Sequence, residues 1–381
     1  MELRVPHTFP FPPRTARRAL VITAATAMAA CSTDKLTTRS SSNAAAVPSP
    51  ALETVDYTAL GSGKVLFQRT AGTHPTITGE TADGAYLIDA TNKKVTIVSD
   101  TNLYNIYATL SPAGDAIALR GLTDYSTYLY DIYWRRLDQT TWTRASGELG
   151  NAEDQPSWDV DGQSLFFITA SQYGGKWGII RQSISGTTST TVRAFTTSTG
   201  TYTCPNAPYP YTGLGAPVRS VNGAIAYPCI DGAAKANIAV IAGSADSAVT
   251  LLPATATGAG LYSPQWSPDG KKLAFLEVAL AGTAGSTRPI TVALVVADVA
   301  AGTRRTVVTK GGDEVNYQRA VAFSTCWMPD GNTLVFTAPD SGKTDNIKSW
   351  SSLFVVKADG SSLKRLTANK DAHDNTVSCS R

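Results

Sequence analysis

Short segments in which apolar and polar residues alternate recur along most of the chain, separated by turns rich in glycine and proline. The clearest example is Tyr262–Glu277, where an aromatic segment leads through Ser267–Gly270 into a second alternating segment, Lys272–Leu276. Within the turn, proline fixes φ near the value that a β-turn needs, and glycine supplies a positive φ. Alternation on both sides of such a turn predicts a β-hairpin.

The same hairpin pattern recurs along the chain. Each copy has an apolar or aromatic segment, a turn that ends in glycine, and a second apolar segment, in the same order. The other copies are Leu110–Leu119, Pro156–Ile168, Pro217–Tyr227 and Cys326–Thr337. The turn glycines are Gly114, Gly162, Gly223, Gly270 and Gly331, at intervals of 48, 61, 47 and 61 residues. Because one hairpin cannot bury its own apolar face, this repeat, with insertions in two copies, indicates a repeat architecture.

Two further alternating segments follow each hairpin. The clearest pair is Leu353–Lys357 and Leu363–Leu366, which flank the turn Asp359–Gly360. The segments at 85–89 and 94–98, and those at 291–296 and 305–308, match this pair. Four strands in a repeat of this length predict one blade of a β-propeller.

The two ends of the repeat region each supply part of a blade. Gly63–Phe67 resembles the strand after a hairpin turn but lacks the strand before it, whereas Asn375–Ser380 stops where a turn would follow. Joining the two completes a blade and leaves no unpaired edge. We therefore predict an all-β fold at residues 55–381: a six-bladed β-propeller of four-stranded antiparallel blades, closed by the C-terminal strand joining the N-terminal blade.

The Ser-Pro-Asp-Gly turns, the tryptophans before the turns and the segment Ala358–Thr367 resemble the propeller of the TolB family over the chain after residue 55. The tryptophans are Trp158, Trp266 and Trp327. The resemblance implies a non-enzymatic protein that binds another envelope protein or peptide at the mouth of the propeller channel. Prolyl-oligopeptidase and polysaccharide-lyase propellers have similar repeats, so the motifs define the fold better than the function. The segment before the first blade is too short for TolB's N-terminal α/β domain.

Residues 1–30 have the features of an export signal. Arg14, Arg17 and Arg18 precede the apolar run Ala19–Ala27, and small residues lead to Cys31. This pattern resembles a bacterial lipoprotein signal, which predicts that Cys31 carries the lipid anchor. The alternative is an ordinary secretory signal.

The residues after the signal indicate where the protein resides. Residues 31–54, rich in Ser, Thr, Ala and Pro, are predicted to form a disordered tether. Ser32 after the cysteine resembles outer-membrane sorting, so we expect a lipid-anchored protein of the bacterial cell envelope, at the outer membrane facing the periplasm.

Charge argues against one class of partner. The chain has 33 Lys and Arg residues and 30 Asp and Glu residues, and removal of residues 1–30 leaves 29 of each. A neutral mature chain lacks the basic excess that nucleic-acid binding requires. We expect a monomer without a nucleic-acid partner.

Two insertions interrupt the repeat. Thr201–Pro217 contains Tyr202, Tyr209 and Tyr211 among four prolines. These rings suggest an alternative function, a carbohydrate-binding or polysaccharide-degrading propeller that stacks sugars on them; the loop could equally be a surface elaboration packed on its blade. Val278–Arg288, rich in Ala, Gly and Thr, is predicted to form a flexible hairpin loop.

Four cysteines remain after Cys31. An even number in an exported protein favours disulfides, and four cysteines allow three connectivities. Cys204 and Cys229 flank the aromatic insertion, so a bond between them would hold that loop to its blade. Cys326 and Cys379 occupy the same repeat position in the innermost strands of neighbouring blades, where a bond would lock the ring.

Signatures of catalysis and of metal binding are missing. The sequence contains no H-E-x-x-H, G-x-S-x-G or P-loop pattern, and only His74 and His373 follow the predicted signal. Two histidines exclude a histidine-rich metal site. We expect no enzymatic activity and no cofactor. A calcium ion at the channel mouth is the one exception considered.

One set of charged residues recurs in the segments that lead into the innermost strands. Its members are Glu153, Asp154, Asp313, Glu314, Asp371, His373 and Asp374. Such segments surround the channel at one face of a propeller, so these residues are predicted to line the channel mouth and to bind a partner, as acids that receive a basic peptide or a cation. The alternative is that each acid stabilises its own turn through hydrogen bonds.

Overall fold

The computed structural model describes most of the chain after residue 54. The described ranges are 55–71, 82–98, 106–124, 129–145, 151–171, 177–186, 189–195, 215–230, 235–242, 249–255, 258–280, 287–316, 323–340, 351–367 and 372–381. The predicted signal, Cys31 and the tether lie outside these ranges. In the part of the chain that the structure describes, no helix has the length and hydropathy needed to cross a membrane.

The described strands form six sheets, each with four antiparallel strands. After a short 3₁₀ helix at Tyr57–Leu60, blade 1 contains β1 (Lys64–Ala71), β2 (Ala82–Asp89), β3 (Lys94–Ile97) and the last strand, β24 (Ala372–Cys379). Blade 2 contains β4 (Ile106–Leu110), β5 (Ala116–Asp124), β6 (Leu129–Arg136) and β7 (Thr143–Arg144). Blade 3 contains β8 (Asn151–Trp158), β9 (Ser164–Ser171), β10 (Trp177–Ser183) and β11 (Ser189–Phe195).

The remaining three blades have the same order. Blade 4 contains β12 (Val218–Arg219), β13 (Ile225–Ile230), β14 (Ala236–Ile241) and β15 (Val249–Leu252). Blade 5 contains β16 (Ala259–Trp266), β17 (Lys272–Leu280), β18 (Thr287–Asp298) and β19 (Thr303–Asn316). Blade 6 contains β20 (Thr325–Trp327), β21 (Thr333–Pro339), β22 (Ser351–Lys357) and β23 (Lys364–Arg365). The six-bladed propeller predicted from the sequence is confirmed.

The ring closes as the sequence predicts. β24 pairs antiparallel with β1, with Val65 opposite Cys379 and Ala71 opposite Ala372. Blade 1 is therefore built from both ends of the repeat region, and hydrogen bonds between its first and last strands hold the ring closed.

The five predicted turn glycines all have positive φ, between 63° and 91°. The Gly270 N–H donates to the Ser267 carbonyl at 2.8 Å. The Ser267 hydroxyl oxygen accepts from the N–H of Lys272, the first residue of β17, at 2.9 Å. A side chain at these φ values would be strained, so glycine fixes where each hairpin reverses.

The core lies between neighbouring blades. Phe336 and Phe354 of blade 6 stack at 5.5 Å and share one buried cluster with Leu294 of blade 5. Phe67 of blade 1 shares another with Val355 of blade 6. Each sheet thus buries its apolar face against the next blade, which a single hairpin could not do.

The insertion at Val278–Arg288 differs from the prediction. β17 continues to Leu280 and β18 begins at Thr287, and Val278 is buried opposite Val292. The expectation that this whole segment is a flexible loop is therefore wrong at both ends, because apolar residues extend β17 at the first end and Thr287 and Arg288 pair with β19 at the second. Residues 281–286 lie outside the described ranges.

The disulfide predicted across the ring is present. Cys326 in β20 is bonded to Cys379 in β24, with Cα atoms 5.6 Å apart. Cys229 is also disulfide-bonded, but Cys204 lies outside the described residues, so their pairing stays a prediction.

The two bonded cysteines are not repeat equivalents, contrary to the prediction. The Ser380 N–H donates to the Lys64 carbonyl, as the Met328 N–H does to Thr333 in blade 6. Ser380 therefore corresponds to Met328, and Cys379 to Trp327, one position after Cys326. This offset of one residue did not prevent bonding because the innermost strands of adjacent blades lie side by side.

Candidate functional site

The innermost strands of the six blades surround a central channel with a narrow cavity of about 50 Å³. All six blades contribute small or uncharged residues to its wall. One from each blade is Ser378, Thr109, Gln155, Ala216, Ser263 and Ser324. None of the described residues that line this cavity is charged, so it offers hydrogen-bonding groups without a net charge.

Four of the innermost strands carry the same irregularity beside the cavity. Tyr107, Gln155, Ser263 and Thr376 have φ of 70°, 54°, 52° and 34°, and the strand pairing shifts register at each of these positions. A non-glycine residue in this conformation costs about 1 kcal/mol or more. Strained residues of this kind occur at functional sites more often than elsewhere, which makes the ring of bulges a candidate site.

Hydrogen bonds between blades hold these strands together. The Trp158 indole donates to the Thr109 carbonyl at 3.3 Å, and the Trp327 indole donates to the Gln265 carbonyl at 3.1 Å. The Ser378 hydroxyl accepts from the Leu110 N–H at 3.0 Å. Two of the tryptophans that mark the repeat in the sequence therefore link one blade to the next and fix the width of the channel.

Gln155 stands out among the channel residues. Its side chain is fully buried, and neither its Oε1 nor its Nε2 has a hydrogen-bond partner among the described residues. An unsatisfied buried polar group costs about 1–3 kcal/mol. A polar group that formed a hydrogen bond with this amide would remove the cost. Sequence reasoning missed Gln155 because nothing in its neighbourhood marks a bulge.

Asp154, a predicted partner-binding acid, is buried next to Gln155 and forms an ion pair. Its Oδ2 accepts from Arg120 Nη1 at 2.9 Å, and its Oδ1 accepts from the Gln155 N–H at 2.8 Å. Burial raises the pKa of Asp154, and Arg120 only partly offsets this. Because Arg120 lies in β5 and Asp154 in β8, the pair connects blades 2 and 3.

Asp374 is also buried and paired. Arg69 donates from Nε to Oδ1 at 2.6 Å and from Nη2 to Oδ2 at 3.0 Å, across the closure between β1 and β24. The Asp374 side chain is 0% exposed and that of Arg69 is 2% exposed. A bidentate pair in this environment is strong and directional. The ion pair gives Asp374 a structural role in closing the ring. The binding role of Asp374 stays a prediction.

The other predicted residues are placed less fully. Glu153 is buried in β8. Burial lowers the pKa of the nearby Arg144, but Asp131, with a smaller contribution from Glu153, raises it above its usual value. Asp313 and Glu314 belong to β19, at the edge of blade 5 farthest from the innermost strand, which differs from the predicted placement. The side chains of these two residues and of His373 in β24 are not described.

Several predictions cannot be placed. Asp371 and the loop residues Tyr202, Tyr209 and Tyr211 lie outside the described residues. Within the described ranges, no group of three or more His, Cys, Asp or Glu side chains is positioned to hold a metal ion.

No family model and no curated protein matches the sequence. Among solved structures, TolB from Acinetobacter baumannii is similar over 84% of this chain and 67% of its own, with 16% identity and a TM-score of 0.56. A putative TolB from Agrobacterium tumefaciens is similar over 83% of this chain and 98% of its own, with 14% identity and a TM-score of 0.47. An oligogalacturonate lyase from Vibrio parahaemolyticus is similar over 81% of this chain and 82% of its own, with 11% identity and a TM-score of 0.44.

These likenesses concern the fold. The similarity to TolB from A. baumannii confirms that this chain has a TolB-like six-bladed propeller, as its turns and tryptophans predict. Since one fold can host many unrelated functions, function must be argued from the residues of the channel.

Proposed function

We propose that this protein is a non-enzymatic binding module that receives a segment of another protein at its channel. The observation that carries the proposal is the buried Gln155 amide, unsatisfied among the described residues, in a neutral wall built by all six blades. An amide side chain can both donate and accept, and so can the main chain of a peptide.

The size of the cavity supports a peptide over a metabolite. Pockets for small molecules usually have volumes of about 300–1,000 Å³. A cavity of about 50 Å³ instead suits a few waters or the tip of a chain. A peptide segment that displaces these waters must reproduce their hydrogen bonds, and this requirement gives the channel specificity.

The paired carboxylates also support binding over catalysis. A general acid or base must reach its substrate, but Asp154 and Asp374 are buried, and each is held by an arginine. Their role in this proposal is to fix the innermost strands, which keeps the channel rigid before the partner arrives.

The protein would act in the bacterial envelope as a monomer. Cys31 would carry a lipid anchor, and residues 31–54 would tether the propeller to the outer membrane on its periplasmic side. A flexible tether of these 24 residues would span roughly 25–30 Å, enough for the channel to face proteins near the membrane.

The test fills the channel without removing a hydrogen bond. Ala216→Phe places a ring in the cavity wall, and Ile97→Phe is the matched control on the outermost strand of blade 1, where the side chain is 40% exposed. Tagged versions are captured from cross-linked bacterial envelopes, and bound proteins are identified by mass spectrometry. We expect one partner with wild type and the control and none with Ala216→Phe. Equal capture by all three would refute the proposal.

A second candidate function is carbohydrate binding, favoured by a larger cavity of about 520 Å³ between blades 2 and 3. Trp134 and Trp158 meet edge to face at 6.3 Å in its wall, beside Asp115 and Gln163. Aromatic rings next to polar groups suit a sugar. Binding on a glycan array that is lost in Trp134→Ala, or when Tyr209 and Tyr211 become alanine, would favour this function.

A further inference from the structure

Charged residues also lie at the other end of the innermost strands, beside the hairpin turns. β8 is followed directly by Asp159, β12 ends at Arg219, and Arg381 follows β24 by two residues. Arg181, in β10, reaches the same place. We call Arg181, Arg219 and Arg381 the turn-side arginine cluster. Asp154 and Asp374 lie near the starts of β8 and β24, so the cluster is at the opposite mouth of the channel from them.

A single buried carboxylate organises the cluster. Asp159 is 0% exposed, and its Oδ2 accepts from Arg181 Nε at 2.7 Å and from Arg219 Nη1 at 3.2 Å. Arg181 also donates from Nη2 to Asp161 at 2.6 Å. Two guanidinium groups therefore share one oxygen atom, and among the described residues only Arg181 has a second carboxylate.

Arg381 lies across this mouth. Its backbone N–H donates to the Pro112 carbonyl of blade 2 at 2.8 Å, and its Nη1 contacts the Arg219 carbonyl of blade 4 at 3.5 Å. Among the described residues, its guanidinium has no carboxylate within ion-pair distance. Burial lowers the pKa of Arg381, which Asp159 opposes without forming a direct contact.

The two mouths differ in how their charges are balanced. At the acid end, Asp154 and Asp374 each have their own arginine. At the turn side, three guanidinium groups, with five N–H donors each, share Asp159 and Asp161. The side chains of Arg181 and Arg219 are 34% and 36% exposed, so a ligand in solution can reach them.

We propose that the turn-side arginine cluster binds the carboxylates of an acidic peptide segment. This inference rests on the proposed function and specifies that the bound segment is negatively charged. The acidic residues in the sequence had predicted a basic segment. Guanidinium groups match carboxylates in geometry and form paired hydrogen bonds with them. A peptide anchored there by its acidic side chains would present main-chain amides to the neutral channel and to Gln155.

The probe is fluorescein-labelled hexaglutamate, with hexaglutamine as the uncharged comparison, and binding is measured by fluorescence anisotropy at low ionic strength. The test variant is Arg219→Gln with Arg381→Gln. The control is Arg304→Gln, an arginine on the outermost strand of blade 5 that donates to the Pro253 carbonyl. We expect the double variant to lose at least tenfold in affinity, about 1.4 kcal/mol, and the control to bind as wild type does. Hexaglutamine should not bind.

A variant that binds more tightly serves as a control for misfolding, because a misfolded protein would lose affinity and not gain it. Asp161→Asn removes one of the two carboxylates that compete for Arg181 and should tighten hexaglutamate binding at least twofold. Failure of hexaglutamate to bind wild type, or equal binding to the double variant, would overturn the inference. If the partner captured from envelopes is lost in Ala216→Phe but binds the double arginine variant normally, the proposed function stands and this inference falls.

Discussion

Replacing Cys326 and Cys379 together by alanine removes the covalent bond between the innermost strands of blades 6 and 1. The bond closes a loop between cysteines that are 53 residues apart in sequence. For a loop of this length, the chain-entropy relation gives about 4 kcal/mol at 25 °C, since the unfolded chain regains the freedom that the bond removed. We expect the free energy of unfolding to fall by roughly this amount. Alanine is preferred because serine would bury a hydroxyl group at each position.

The assay is urea unfolding followed by tryptophan fluorescence, with wild type and variant compared at matched protein concentration. The midpoint should fall and the slope should rise, because the unfolded chain without the bond is less compact and exposes more surface. Hydrogen exchange gives a local measure: amides of β24 that pair with β1 should exchange faster in the variant than amides of β17, in a blade that the bond does not touch.

Reduction of wild type provides a second comparison. Because Cys229 is also disulfide-bonded, a reducing agent should destabilise wild type more than the double alanine substitution does. A loss below about 1 kcal/mol in the double alanine variant, with β24 still protected, would refute the reasoning. It would mean that the unfolded chain gains little freedom when the bond is removed, because residual structure keeps the two segments close together.

Other predictions concern charge and the anchor. Asp374→Asn should lower the free energy of unfolding by about 3–5 kcal/mol, because it removes one side of the buried, bidentate ion pair with Arg69; urea unfolding measures this, and a loss under 1 kcal/mol would contradict it. The pKa of Asp56 is lowered to about 2, chiefly by the Thr58 hydroxyl, so its stabilising contribution is present above the ordinary pKa of 3.8 and is lost as pH falls toward 2. NMR titration should show Thr58→Ala moving this pKa upward, and an unchanged value would exclude that hydrogen bond as the cause. Cys31→Ser should abolish incorporation of a clickable palmitate analogue, and continued labelling would place the anchor elsewhere.

Sequence reasoning succeeded where a feature repeats or is local. Gly270 and its four equivalents had to be turn residues because proline and glycine restrict φ independently of the rest of the chain. Ring closure followed from two incomplete repeats, and it made the Cys326–Cys379 bond one of the pairings to consider. Each of these inferences needed only the order of elements along the chain.

The same reasoning could not predict how the acids are neutralised. Arg120 is 34 residues from Asp154 in sequence, and Arg69 is 305 residues from Asp374. Neither distance matches the repeat, so no periodic pattern marks these pairs. Gln155 was missed for a related reason: its position depends on a bulge, and the sequence around it also fits an unbroken strand.

The position of a charge in the repeat and its availability to a partner are separate properties. The repeat places Asp154 and Asp374 near one mouth of the channel. Both carboxylates are buried, and a buried carboxylate without a partner would be costly. Arg120 and Arg69 pair with them and offset this cost. At the other mouth, Asp159 attracts two arginines while Arg381 comes close without forming an ion pair with a described residue. The guanidinium donors that a ligand in solution can reach therefore lie at the mouth opposite Asp154 and Asp374. The same argument applies to any propeller that is predicted from its sequence. A charged residue indicates a binding site at a channel mouth only if no oppositely charged residue of an adjacent blade neutralises it.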